Sequence, residues 1–277
     1  MLKYVPATSP SEGPVLMVTP ETAPVHYVGT AVYRLAAGQR FQDRVGRHQE
    51  RALVLLSGQA RVLGDGLPDT ALKGRAAVFE ETPPYVVYVT SGAALSLVAE
   101  TDCELLWASA ALDEPASLAS RIYTPAEMPI EFRGEGVTGR QVRHLLEEPG
   151  QAVRLRLVEV ITPGGHWSSF PPHKHDRDIP GVESCLEEIY YYHMAPAKLW
   201  AFQRVYDQTG WGEALAVSDG DLVVVPRGYH PVSAPPGSTV YYLNVMAGPT
   251  RQWLFTTDPA FAHVPGFSVP GERRGTS

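Results

Sequence analysis

Glycine and proline, 25 residues of each in a chain of 277, punctuate this sequence so regularly that only short elements fit between them. The intervening runs are rich in Val, Leu and Tyr, which suit a pleated, half-buried surface. That spacing is the mark of an all-β sandwich or barrel. Strands are expected at Arg51–Leu56, Gln59–Leu63, Ala76–Phe79, Tyr85–Val89, Ala94–Ala99 and Glu104–Ala108. The second half offers Val153–Ile161, Glu188–His193, Leu199–Tyr206, Leu222–Val225 and Val240–Met246. Helical periodicity is scarce, and the best short helix candidates are Pro115–Arg121 and Arg140–Leu146.

The two halves share a grammar. Ala52–Val62 reads as strand, Ser-Gly turn, strand, and the segment from Gly74 to Tyr85 adds a further strand and a proline turn. Gly220–His230 repeats glycine turn, apolar strand and proline turn, and aligning Gly74 with Gly220 sets Pro84 opposite His230. A repeat of that size implies two stacked β-modules, 1–130 and 131–277.

Charge narrows the partners. With 23 basic and 30 acidic residues the chain carries a net −7, which argues against nucleic acid and against an acidic membrane surface. Cys103 and Cys185 lie in different halves and build neither a disulfide framework nor a cysteine-rich zinc site, so a reducing cytosol fits. The N-terminus shows no basic start followed by an apolar run, and no apolar stretch approaches the roughly 20 residues of a membrane span. The expectation is a soluble, cytoplasmic protein.

Chemistry concentrates in the second half. His173 and His175 stand two apart after Pro171-Pro172, so on a strand they face the same way and can share one ion. A carboxylate and a distant histidine would complete the set. Glu187 and Glu188 must face opposite sides of a strand, and parity alone leaves both open, with Glu183 nearer the loop as a third candidate. His230 follows Pro226-Arg-Gly228, a turn able to drop its imidazole into a barrel mouth. Imidazole and carboxylate suit Zn, Mn, Fe, Co or Ni, and three or four protein ligands with open positions imply catalysis. His26, His48, His144 and His263 stand in less organised contexts, while His166, after Gly164-Gly165, is close enough to the pair for a pocket role.

The order His-x-His, then Glu on the next strand, then Gly-Asp-strand-Pro-x-Gly-x-His, resembles the paired motifs of the cupin superfamily. It departs from them in the 12-residue step from His175 to Glu187, which makes Asp176–Cys185 an inserted loop. The resemblance implies a bicupin of two antiparallel β-sandwich or barrel modules, metal-free in the first half, where His48-Gln-Glu50 lacks a His-x-His. Its register, with the ligand three residues before Tyr190, favours Glu187. Trp167–Asp176, Leu186–His193, Ala201–Tyr206, Val225–Pro231 and Tyr242–Pro249 together resemble the 5-deoxy-glucuronate isomerases of myo-inositol catabolism, relatives of the ketol-isomerases of pectin breakdown.

That likeness implies interconversion of an aldose acid, 5-deoxy-glucuronate, with a ketose acid, 5-dehydro-2-deoxy-gluconate, assisted by one divalent ion held by His173, His175, Glu187 and His230. Zn and Mn come first for that ion, with Fe, Co or Ni able to serve. Moving a carbonyl between neighbouring carbons requires charge stabilisation on oxygen and a base for the proton. Candidates for the base are His193, about 20 Å along the strand from Glu187, Tyr191, Gln203 and a metal-bound water. Arg204 or Lys174 could pair with a substrate carboxylate, and Asn244 could donate to a hydroxyl. Two other readings stay open: a metal-dependent cupin dioxygenase, and a non-catalytic sugar-acid-binding protein. The small sugar acid is the expected partner, and sandwich edges leave room for a homo-oligomer.

Overall fold

A computed structural model describes residues 2–6 and 13–261. Among these residues the chain is built of antiparallel strands, with three single turns of 3-10 helix at Pro125–Glu127, Gly136–Thr138 and Pro259–Phe261. A six-stranded sheet orders Arg121–Tyr123, Val86–Val89, Gln49–Ser57, Cys103–Ala111, Val28–Leu35 and Leu16–Val18. It is accompanied by a four-stranded sheet of Arg40–Arg44, Ala94–Ala99, Gln59–Gly64 and Leu67–Lys73. The second half repeats the plan. Its seven-stranded sheet orders Lys3–Tyr4, Leu222–Val225, Glu187–Ala195, Thr239–Ala247, Arg156–Thr162, Arg140–Leu146 and Ile130–Arg133. A smaller sheet of Trp167–Ser168, Val232–Ser233, Trp200–Tyr206 and Gly212–Ser218 accompanies it, and His173–Lys174 forms a separate short pair with Thr256–Thr257.

The two cupin-type modules are built on one template. Val89 pairs with Arg51 where Val225 pairs with Glu188, and Ala110 pairs with Glu50 where Ala247 pairs with Glu187. This register makes Val89, not a residue near Pro84, the counterpart of Val225, so Gly74 and Gly220 are not equivalent. The repeat is real but shifted from the one the glycines suggest.

Each module has its own core, around Leu53, Leu55 and Leu97 in the first and Tyr190, Tyr192 and Val223 in the second. A third core lies between the two large sheets, where Val54, Leu56 and Leu106 pack with Ile189, Tyr191 and Leu243. The central strands are therefore apolar on both faces, as expected for strands covered on both sides. Arg75 of the first module reaches Glu159 of the second, where both side chains are fully buried, and Arg143 and the Tyr241 hydroxyl complete the shell around that carboxylate. Paired and hydrogen-bonded in this way, a buried charge is tolerated, and removing one partner would strand the other.

Three expectations fail. Arg140–Leu146 is a strand, because Arg140, Val142 and His144 alternate into the barrel of the second module. Pro115–Arg121 is irregular until Arg121 opens a short strand, and Ala76–Phe79 is a turn, its Ala76 amide bound by the Glu80 carboxylate.

Candidate metal centre and its cavity

The strand Glu187–Ala195 decides the site. Its even-numbered residues enter the barrel of the second module with Tyr190 and Tyr192, and its odd-numbered residues enter the intermodule core with Ile189 and Tyr191. Glu188 therefore points inward. Its Oε2 lies 3.2 Å from His175 Nε2 and 3.1 Å from His230 Nε2. His173 joins them, with ligand atoms of the three histidines all within 4.8 Å of one another.

Local structure holds each ring. Phe170-Pro-Pro172 leads into His173–Lys174, which pairs with Thr256–Thr257. The His175 carbonyl accepts from the Leu186 amide, which closes the loop between the histidine pair and the next strand. His230 is delivered by the Gly228 turn. There φ is +87°, and a Cβ would stand 2.5 Å from the Tyr206 carbonyl oxygen, so the turn requires glycine. Asp176 accepts from the Gly228 amide at 2.9 Å and ties the two ligand segments together.

Tautomers are set as a metal would need them. Nδ1 of His175 faces the Leu186 carbonyl at 2.9 Å, Nδ1 of His230 the Gly228 carbonyl at 2.8 Å, and Nδ1 of His173 the Pro171 carbonyl at 3.2 Å. A carbonyl can only accept, so each Nδ1 carries the proton and each Nε2 offers a lone pair. Nε2 of His175, Nε2 of His230 and Oε2 of Glu188 are buried and make no aligned hydrogen bond. Buried polar atoms left in this way are rare, and these converge on one another. The donor set fits a divalent ion.

Electrostatics agree. Removal from bulk water, with the neighbouring His230 and His175 rings, holds His173 well below its usual pKa. For Glu188, burial acts to raise the pKa, but the His230 and His175 imidazoles outweigh it and hold the carboxylate ionised. Burial likewise opposes protonation of His175, yet Glu188 raises its pKa. An ion would compete with that proton, since metal binding requires neutral imidazole.

The cluster forms one wall of a cavity of about 160 Å³, into which His173, Glu188, Arg140, Glu147, Tyr242 and Asn244 project. Trp253 packs beside the imidazoles, 5.1 Å from the His175 ring and 5.9 Å from that of His173.

The other sequence candidates scatter. Glu187 faces the first module, where its carboxylate accepts from the backbone amides of His26, Tyr27 and Val28. It is not in the cluster, and the register that favoured it counted residues without knowing which face of the strand was the inside. Glu183 is a loop organiser, accepting from Lys174 Nζ, the Asp176 and Arg177 amides and the Thr256 hydroxyl. Lys174 is consumed by that carboxylate and Asp176. Arg204 is exposed and stacks on Tyr206, 4.1 Å from its ring, on a separate cleft beside Phe170 and Phe202.

Tyr191 donates to Glu104 in the intermodule core. His193 bridges Asp219 and Glu104 at 3.0 and 2.8 Å, also in the intermodule region. Burial acts to lower the His193 pKa, but the two carboxylates outweigh it and push it up to about 9, a poor setting for a base at neutral pH. Gln203 is buried behind the cluster, where it accepts from Tyr192. Asn244 does line the cavity, with its Oδ1 buried and unpartnered. His166 binds the Gly139 carbonyl away from the centre, and His263 lies outside the described residues.

Sequence reasoning missed Arg140 and Glu147. Reading 140–146 as a helix hid the alternation that sends Arg140 inward.

Fold and site together define a bicupin with a His3Glu cluster in one module. The chain belongs to the KduI/IolB family, whose profile matches residues 3–264, and it is an isomerase. It is 45% identical over 257 residues, 92% of each chain, to the 5-deoxy-glucuronate isomerase of Geobacillus kaustophilus. Against that of Bacillus subtilis strain 168 it is 37% identical over 245 residues, 88% of this chain and 89% of the other. Among solved structures, an IolB-like protein from Salmonella typhimurium LT2 superposes with a TM-score of 0.90 at 38% identity, covering 95% of this chain and 98% of that one. The oxalate decarboxylase of Lactobacillus farciminis, 14% identical with a TM-score of 0.66 over 93% of this chain and 88% of that one, shares the fold. No helix among the described residues is long and apolar enough to cross a membrane.

Proposed function

We propose that the chain is a metal-dependent aldose–ketose isomerase that converts 5-deoxy-glucuronate to 5-dehydro-2-deoxy-gluconate in cytoplasmic myo-inositol degradation. The observation that carries this reading is the convergence of three fixed Nε2 lone pairs and the Glu188 carboxylate on one wall of a polar cavity. Family membership points to the same chemistry. His173, His175, His230 and Glu188 would hold the ion, in the module 131–277, and the module 1–130 would stay metal-free. Zn or Mn would supply Lewis acidity, drawing charge onto the substrate oxygens as the proton leaves carbon.

The remaining work falls to the cavity. Arg140 lines it and makes no ion pair among the described residues, its Nη1 donating to the Thr138 carbonyl at 2.9 Å. Burial holds its guanidinium below the usual arginine pKa, yet arginine stays charged at neutral pH. A half-buried guanidinium with no carboxylate partner is suited to a substrate carboxylate, the role that Lys174 and Arg204 cannot fill from where they stand. The free amide oxygen of Asn244 can accept from a substrate hydroxyl and orient it, or its NH2 can donate if the amide is turned.

Purified protein loaded with Zn or Mn should form the ketose from 5-deoxy-glucuronate without consuming oxygen. Binding without turnover, or turnover untouched by stripping the ion, would sink the reading.

A further inference from the structure

Glu147 is the carboxylate of the cavity with no assigned partner for one of its oxygens. It follows the strand Arg140–Leu146. Its Oε2 is bound by Arg156, while its Oε1 is buried without a hydrogen-bond partner. Cross-strand register locates it. Glu188 pairs with Met246, and Met246 with Arg156, so Arg156 stands two strands from Glu188, about 10 Å away at ordinary strand spacing. The Arg156 guanidinium lies 5.3 Å from the centre of the Trp253 ring, and that ring packs on His175. One aromatic thus connects the Glu147–Arg156 pair to the ligand cluster across the cavity.

Of the other titratable groups around the cavity, Arg140 has no ion pair among the described residues, but as a cation it cannot act as a base. His173 and Glu188 belong to the cluster, and Arg133 and His144 pair with Glu131. Tyr190 and Tyr242 are both raised by burial, so neither is a base near neutrality. Burial also raises the Glu147 carboxyl, against the pull of Arg156, His144 and Arg251. A carboxylate with a raised pKa is a better proton acceptor than an ordinary one.

We propose that Glu147 is the general base that carries the proton between the two carbons of the substrate, an assignment that rests on the isomerase reading above. Glu147 Oε1 takes the proton from C2; the C–H electron pair forms the C1–C2 double bond, and the carbonyl π pair moves onto O1. The same carboxyl then returns its proton to C1, while the O2 proton passes to O1 and the C2 carbonyl forms. Atoms and electrons balance without a co-reactant.

The test compares metal-loaded wild type with Glu147→Gln and Glu147→Asp. Readouts are ion content, binding of 5-deoxy-glucuronate by calorimetry, turnover, and exchange of the C2 hydrogen with D2O by NMR. Wild type must first turn over; if it does not, the isomerase reading fails, and this assignment with it. Given an active wild type, Glu147→Gln should keep its ion and bind substrate within about threefold, while kcat and C2 exchange fall about 10²–10⁴-fold. Glu147→Asp preserves the charge facing Arg156 but withdraws it by one methylene, and should lose at least about tenfold in kcat at similar KM. Glu147→Gln that exchanges and turns over like wild type overturns the proposal. Should that variant fail to fold, Glu147→Asp with wild-type kcat overturns it equally.

Discussion

Glu50 and Glu187 occupy the same place in the two modules and do the same thing. Glu187 of the second accepts from the backbone amides of His26, Tyr27 and Val28; Glu50 of the first accepts from those of Val153, Arg154 and Leu155. The donor segments also correspond, since each leads into the strand that pairs with its module's long return strand. The modules therefore clasp one another through a reciprocal pair of buried carboxylates. One residue later the symmetry breaks. Glu188 turns inward to the histidines, whereas its counterpart Arg51 turns to Asp43. Among the described residues, the repeated scaffold carries its clasp twice and its His3Glu cluster once.

The largest effect should come from breaking what the modules do not share. His175→Ala removes a proposed ligand, and since outer partners of metal ligands already cost 10–100-fold, activity should fall more than about 10²-fold. The matched change in the first module, Arg51→Ala, should leave the activity of folded protein within a few-fold. Side-by-side turnover assays read both.

A smaller effect should come from what they do share. Glu50→Gln and Glu187→Gln each exchange a charged acceptor of several backbone amides for a neutral one. Each should cost about 1–3 kcal/mol in denaturant midpoints. Similar costs would sharpen the symmetry, and a cost confined to one variant would break it.

The smallest effect is tuned by pH. His193 bridges Asp219 of the second module and Glu104 of the first, with a pKa raised from 6.5 to about 9. Its protonated form favours the folded state, so the contribution is complete below pH 6.5, declines from there to about 9 and is absent above. Relative to wild type, His193→Gln should lose at most about 3 kcal/mol at pH 6, and the gap should close by pH 9.5. Thermal melts at the two pH values measure this, and a pH-independent gap would remove the bridge from the account.

Much of this was legible in the chain. The glycine and proline spacing fixed an all-β class, and His-x-His with the Gly228 turn pointed to three of the four cluster residues. The carboxylate was not legible, for a physical reason. Glu187–Ala195 is buried on both faces, between a barrel interior and a second module, so it shows no apolar–polar alternation to say which face is inside. Arg140 and Glu147 were hidden by a related ambiguity: Arg-Gln-Val-Arg-His-Leu-Leu supports two periodicities, and only its neighbours at Arg156–Thr162 and Ile130–Arg133 choose the strand.

On the proposed reading Glu188, with His173, His175 and His230, holds the ion, while its neighbour Glu187 holds the modules together. Metal analysis of protein purified without chelator separates the two roles. Wild type and Glu187→Gln should each retain about one ion per chain, and Glu188→Gln should lose most of it. Full metal in Glu188→Gln with loss in a folded Glu187→Gln would assign the ion to Glu187 instead.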